Sequence, residues 1–437
     1  SSVAIECNGP KRQIFQPPLS PVFAMGTVTQ IFTVVASCVT WAAEPTTVYV
    51  GTYSPHILQY TLGPDGTLDF VNRTAAGMNP SWLALAPRRR LLFAVNEHDG
   101  GSVASFAINA VTGSLQLLNR VPSGGGAPCQ IAVDPQERYI LVSNYCGGSV
   151  SILPILADGS LGTALTYVQD EGSANAPGCR GRSHVHEATV VDAGAAGQAV
   201  LVVDLGLGRV VRYTVAWPQD SPDAPPALAA PATVLQLPPG SGPRQIALHP
   251  ARPVAYVLDE LRSMIIECQV LNAAEPWSVN LEGCSVPLST LRAGESSAGM
   301  AAAEVTTDGR SVFVSNRDRT ADQRDSIAVF SGVAERSLSA GGPPSHHWSR
   351  CQTPRHFTLH PTDTHGANGF VHGAASLLVV ANRHGGKLVS FRVQADGELE
   401  VRRITGDVPE PSHVLMLELS SLAMDQSSGA GGAVILP

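Results

Sequence analysis

Apolar residues in this chain come in short runs broken by Gly, Pro, Asn and Asp. "TVYVGTY" (47–53), "LLFAVNE" (91–97), "YILVSNY" (139–145) and "LLVVANR" (377–383) are typical. Short runs rich in Val, Ile, Leu and Phe and bounded by turn residues predict strands. Long stretches free of Gly and Pro with a 3.6-residue period are scarce, so no long helix is expected. The pattern is all-β.

The strands recur as a unit. A first phrase reads "NPSWLALAP" (79–87), "APCQIAVDP" (127–135), "GPRQIALHP" (242–250) and "TPRHFTLHP" (353–361). Looser copies are "HVHEATVVD" (184–192) and "AAAEVTTDG" (301–309), and a last one is "EPSHVLMLE" (410–418). Each copy but the last leads into an apolar strand ending in Asn or Asp. A third strand follows, such as "SVASFAI" or "KLVSFRV", then a turn such as "ADGSL" (157–161) and a fourth strand. Units starting at 79, 127, 184, 242, 301 and 353 are about 48 to 59 residues long, a propeller-like period. Four-stranded antiparallel units repeated radially predict a β-propeller.

The ends of the chain fix the blade number. Before the six full units stands a partial one, "TVYVGTY" and "ILQYTLG" (57–63), with no first strand. After them stands a first strand alone, "SHVLMLEL" (412–419). The two fragments complete one another, which gives seven blades and abolishes the open edge of the incomplete one. The propeller is expected over 46–420, between an N-terminal extension (1–45) and a tail (421–437).

Two positions in each unit should face one mouth of the central channel. The first is the start of the inner strand: Ser81-Trp82, Cys129-Gln130, His186-Glu187, Arg244-Gln245, Ala303-Glu304, Arg355-His356 and Ser412-His413. Most are polar where a core strand would be apolar. The second is the residue after the second strand: Glu97, Tyr145, Leu205, Glu260, Arg317 and Arg383. "GCRGRSHVHE" (178–187) adds Arg180, Arg182 and His184. His184 and His186, at i and i+2 of a strand, should share a face. Arginines, histidines and carboxylates converging on one mouth point to a site for a small anion, although such groups also serve as structural ion pairs. A metal on His184, His186 and Glu187, with His356 or Glu304, is the rival use. Nearby guanidiniums would repel a cation, so no metal and no cofactor is expected.

The formal net charge of −8 argues against a nucleic-acid surface, and no stretch has the length of a membrane span. The eight cysteines show no CxxC and no zinc spacing. They read as free thiols of a reducing compartment. "MGTVTQIFTVVASCVTWAAEP" (25–45) has a signal-like apolar core, but lacks a basic lead and follows 24 residues. The expectation is a cytoplasmic monomer, or a secreted one if that segment is a signal peptide.

The phrases "RSHVHE", "GPRQIALHP" with "LDEL", "AAEVTTDGRSVFVSNR" and "TPRHFTLHP" with "LLVVANR" resemble the seven-bladed β-propeller lactonase family. That family includes bacterial 6-phosphogluconolactonase and, more distantly, fungal carboxy-cis,cis-muconate cyclase. The resemblance covers about 46–420. It implies an HxH segment at His184 and His186, the PR arginine at Arg244, its following Glu at Glu260, the AE glutamate at Glu304 and the NR arginine at Arg317. "CRGRS" replaces the family's Gln-Glu-x-Pro-type lead, and insertions fall at 217–238, 272–298 and 362–376.

The resemblance implies a lactone hydrolase, and the residues suit one. His186 or Glu260 would activate water. Arg244 and Arg317 would face the developing oxyanion. Arg355 or Arg182 would hold a phosphate or carboxylate of the substrate. His184, Glu304, His356 and Glu97 would complete the pocket. The same set could serve a cyclase that forms a lactone, and a propeller could also bind a protein without catalysis.

Overall fold

The computed structural model describes residues 46–424 apart from 170–178, 181, 193–197, 217–225, 272–279, 321 and 361–375. The expected extension (1–45), nearly all of the tail and parts of the three insertions lie outside the described residues.

Seven antiparallel sheets follow one another along the chain. Blade 1 is ordered Pro411–Leu417, Thr46–Thr52, His56–Leu62, Leu68–Ala75, so the last strand of the chain is the innermost strand of the first blade. Its register sets Tyr49 opposite Leu415 and Val50 opposite Val414. Blades 2 to 7 begin with inner strands Leu83–Ala86, Pro128–Val133, Val185–Asp192, Pro243–Leu248, Met300–Thr307 and Pro354–His360. The seven-bladed, all-β expectation is what the chain forms.

Burial explains the strand sequences. Second strands such as Leu91–Asn96, Tyr139–Asn144 and Val254–Asp259 are buried at every residue. Both of their faces pack against neighbouring blades, so they read as unbroken apolar runs rather than alternating ones. Outermost strands such as Leu68–Ala75 are mostly exposed. The core is divided into seven apolar layers, one in each gap between blades. The layer between blades 7 and 1 joins Val48, Val50 and Leu58 to Leu377, Val379 and Leu388.

The free-thiol expectation fails for four cysteines. Cys146 is bonded to Cys179, and Cys268 to Cys284. The first bond spans 33 positions, yet the Cα atoms lie 4.3 Å apart. The fold sets the loop after the second strand of blade 3 against the loop entering blade 4, a proximity that spacing alone does not encode. Cys129 and Cys351 are free thiols, and Cys7 and Cys38 lie outside the described residues.

Candidate active site

The inner strands carry a repeated irregularity at one end. Pro128 pairs with Asn144 and Gln130 with Ser143, which leaves Cys129 out of the ladder. The same skip leaves out His186, Arg244, Arg355 and Ser412. In blade 6 it spans Ala303 and Glu304. A β-bulge of this kind adds one unpaired residue and re-aims its side chain. Six blades therefore turn one side chain each out of the pleat at the same mouth. His186 lies within electrostatic reach of Arg244, Glu260, Arg355 and Arg317, although these come from three other blades. The convergence expected from the repeat is present.

Glu260, just past the second strand of blade 5, is the hub. Its Oε2 accepts from Arg244 Nη1 at 2.8 Å, and its Oε1 lies 2.8 Å from Arg317 Nη2 and 2.6 Å from Arg319 Nη2. Backbone carbonyls of blade 6 fix the two buried arginines further. Arg244 Nε donates to the Ala303 carbonyl at 2.5 Å, and Arg317 Nη2 to the Ala302 carbonyl at 3.0 Å. Burial alone would raise the Glu260 carboxyl, but Arg317 and Arg244 overcome it and hold it well below the usual carboxylate range. Glu260 is therefore an ionised clamp and a weak base.

His186 is buried and its Nδ1 has no hydrogen-bond partner among the described residues. Burial, reinforced by Arg244, lowers its pKa well below the ordinary imidazole value, so the ring is neutral. The Tyr145 ring meets it edge-on at 5.9 Å and stacks on His184 at 4.7 Å. The shared face expected from i, i+2 alternation is not the reason both meet Tyr145. His184 precedes the strand Val185–Asp192, and His186 is its bulge residue. Arg182 is exposed on the loop entering blade 4. On the other side of the ring Glu97 accepts from Tyr53 Oη at 2.7 Å and Ser81 Oγ at 2.5 Å, and Arg355 lies 3.8 Å from it.

The residue after each bulge does a different job. Gln130 Oε1 accepts from Ala188 N at 3.2 Å, and Glu187 Oε2 from Ile246 N at 2.9 Å. Gln245 Nε2 donates to Glu304 Oε1 at 3.2 Å, and that oxygen lies 3.7 Å from His356 Nε2. His356 Nδ1 accepts from Val414 N at 3.2 Å. Each contact runs from one blade to the next, so this belt stitches the ring around the channel. Glu304 and His356 thus sit in the belt. Burial, with Arg355 and Arg244, takes His356 down to about 3, so the ring is neutral and its Nδ1 can accept from Val414 N.

Burial pushes Glu187 up to about 7 despite hydrogen bonds from Thr189 and Ile246. The folded chain therefore holds a proton that the unfolded chain has released, and stability falls as pH rises from about 4.5 through 7. Glu187→Gln keeps an acceptor for Ile246 and removes the ionisation. It should raise the thermal midpoint at pH 8 and change it little at pH 5, with an effect on the order of 2–3 kcal/mol at the higher pH. Equal shifts at both pH values would contradict this account.

Two contributors escaped the sequence. Tyr53 follows the first second-type strand as Glu97 follows the next, so the repeat rule could have found it. Arg319 lies two residues beyond Arg317 and has no counterpart in the repeat.

A closed ring whose mouth gathers buried guanidiniums around one carboxylate, beside a neutral histidine, defines a small-molecule enzyme built on a propeller. Curated relatives agree. A 6-phosphogluconolactonase of Bacillus subtilis is 29% identical over 84% of this chain and 97% of its own. One of Formosa agariphila is 24% identical over 75% and 85%. A crystal structure of a Lactobacillus plantarum protein superposes with a TM-score of 0.69 at 25% identity, over 86% of this chain and 100% of that one. The periplasmic gluconolactonase of Pseudomonas aeruginosa shares the fold, with a TM-score of 0.67 at 24% identity, over 86% and 99%. The chain belongs to the lactonase family of seven-bladed β-propellers, which it matches over residues 47–416.

Proposed function

We propose that the chain hydrolyses a small anionic sugar lactone of the 6-phosphogluconolactone type. The observation that carries this reading is the Arg244–Glu260–Arg317 bridge beside neutral His186, and the names of the curated relatives support it. Water adds to the lactone carbonyl carbon while His186 takes its proton. The carbonyl oxygen becomes anionic and is held by the guanidiniums of Arg244 and Arg317. The bond from that carbon to the ring oxygen then breaks, and His186 returns the proton to the departing oxygen.

Glu260 serves this scheme by staying ionised. It steadies the imidazolium that forms and aligns the two forks. His186 is assigned as the base because its ring is deprotonated at neutral pH and its Nδ1 is unpartnered among the described residues, whereas arginines occupy both oxygens of Glu260. Two disulfides favour an oxidising compartment over the cytoplasm.

The test is acid release by purified protein from freshly made 6-phosphogluconolactone, against the spontaneous rate. Acceleration by several orders of magnitude is expected. A rate no faster than buffer would sink the proposal, and turnover of carboxy-cis,cis-muconate in its place would assign the chain to the lactone-forming reaction.

A further inference from the structure

The two halves of the mouth differ in how their arginines are spent. In blade 5 the two mouth positions hold Arg244 and Glu260, which pair with each other. In blade 7 the same two positions hold Arg355 and Arg383, which cannot neutralise one another. Arg355 is the bulge residue and Arg383 follows the second strand, Ser376–Asn382. Both guanidiniums flank the Tyr53 ring, Arg383 at 3.6 Å and Arg355 at 5.2 Å from its centroid.

Neither guanidinium donates a hydrogen bond among the described residues. The nearest carboxylate oxygen to Arg355 is Glu97 Oε2 at 3.8 Å, and that atom already accepts from Tyr53 and Ser81. Arg383 reaches Glu410 only at 3.6 Å, and its buried Nε has no partner. The side chains are 13% and 26% exposed, so solvent reaches them only in part. A guanidinium offers five N–H donors in a fixed fork, and leaving shielded donors unmade is unfavourable. An anion with several acceptor oxygens would recover that cost.

We propose that Tyr53, Arg355 and Arg383 form a second anion subsite, which grips the phosphomonoester of the substrate while the lactone carbonyl faces Arg244 and Arg317. Charge favours a dianion. Around the mouth Arg244, Arg317, Arg319, Arg355 and Arg383 outnumber Glu97, Glu260 and Glu410, and burial pushes the carboxyls of Glu187 and Glu304 up, towards their neutral form. Tyr53 offers a flat, electron-rich ring on which the two cationic forks rest. The inference rests on the lactone reading above and adds where its charged end binds.

The test compares kcat/KM for 6-phosphogluconolactone and for unphosphorylated gluconolactone, in the wild type, Arg355→Gln and Arg383→Gln. The wild type should prefer the phosphorylated lactone, and each substitution should cut that preference tenfold or more. Arg355→Lys should restore part of it, since it returns the charge without the fork. Equal losses on both lactones, or a wild type without preference, would overturn the subsite. Thermal midpoints check that the variants fold. If the wild type hydrolyses neither lactone, the lactone reading has failed, and calorimetry with inorganic phosphate decides the subsite separately. Tenfold weaker phosphate binding in Arg355→Gln supports it. Binding that Arg355→Gln leaves unaltered, or no binding to the wild type, rejects it.

Discussion

Arg244→Ala is expected to lower kcat/KM by roughly 10²–10³-fold, the usual effect of removing one preorganised donor from a developing oxyanion. Three observations set that size. Arg244 is 3% exposed, so water cannot readily substitute for it. Its Nη1 donates to Glu260 at 2.8 Å and its Nε to the Ala303 carbonyl at 2.5 Å, so the guanidinium is fixed before substrate arrives. It is also the second-largest influence, after burial, that keeps His186 deprotonated. Losing it raises the pKa of His186 and so strengthens the base, but removes an oxyanion donor. The donor loss should dominate at neutral pH. Folding should survive, because Glu260 keeps Arg317 and Arg319. Arg244→Lys should fall between the two, having charge but no fork. Steady-state kinetics with a thermal midpoint for each variant check this. A wild-type rate in Arg244→Ala would reject the oxyanion assignment.

Ending the chain after Glu410 should abolish cooperative folding. The deletion removes the inner strand Pro411–Leu417 and exposes the edge of Thr46–Thr52, a strand buried at every residue. Val414 and Leu417, at 0% and 6% exposure, leave two interblade layers. Large-to-small losses of buried aliphatic groups cost about 2–5 kcal/mol each. The belt also opens, since His356 loses Val414 N and the Ser81 carbonyl loses Ser412 Oγ. Together these approach the whole net stability of a typical domain, about 5–15 kcal/mol. Circular dichroism on heating should show no sharp transition. A truncated chain melting at the wild-type temperature would show that ring closure is dispensable.

Much of the fold was readable because each blade repeats one phrase and must bury the same faces. The mouth positions were readable for the same reason, and Arg244, Glu260, Arg317, Arg355 and His186 all came from that rule. The rule says which residues arrive, but not what each one meets on arrival. Glu304 and His356 looked like substrate contacts and lie in the stitching belt. His184 and His186 looked like alternating neighbours, while a bulge separates their settings. The cysteines looked unpaired because bonding depends on loops meeting in space.

The periodic strand phrase, with half a unit at either end, was enough to specify seven blades and their closure, since pairing the two fragments is what completes the first blade and covers its inner edge. Which guanidiniums are spent on Glu260 and which stay unspent beside Tyr53 was settled by tertiary structure alone. That outcome depends on bulge geometry and on distances between blades far apart along the chain, and neither is written in any local stretch of residues.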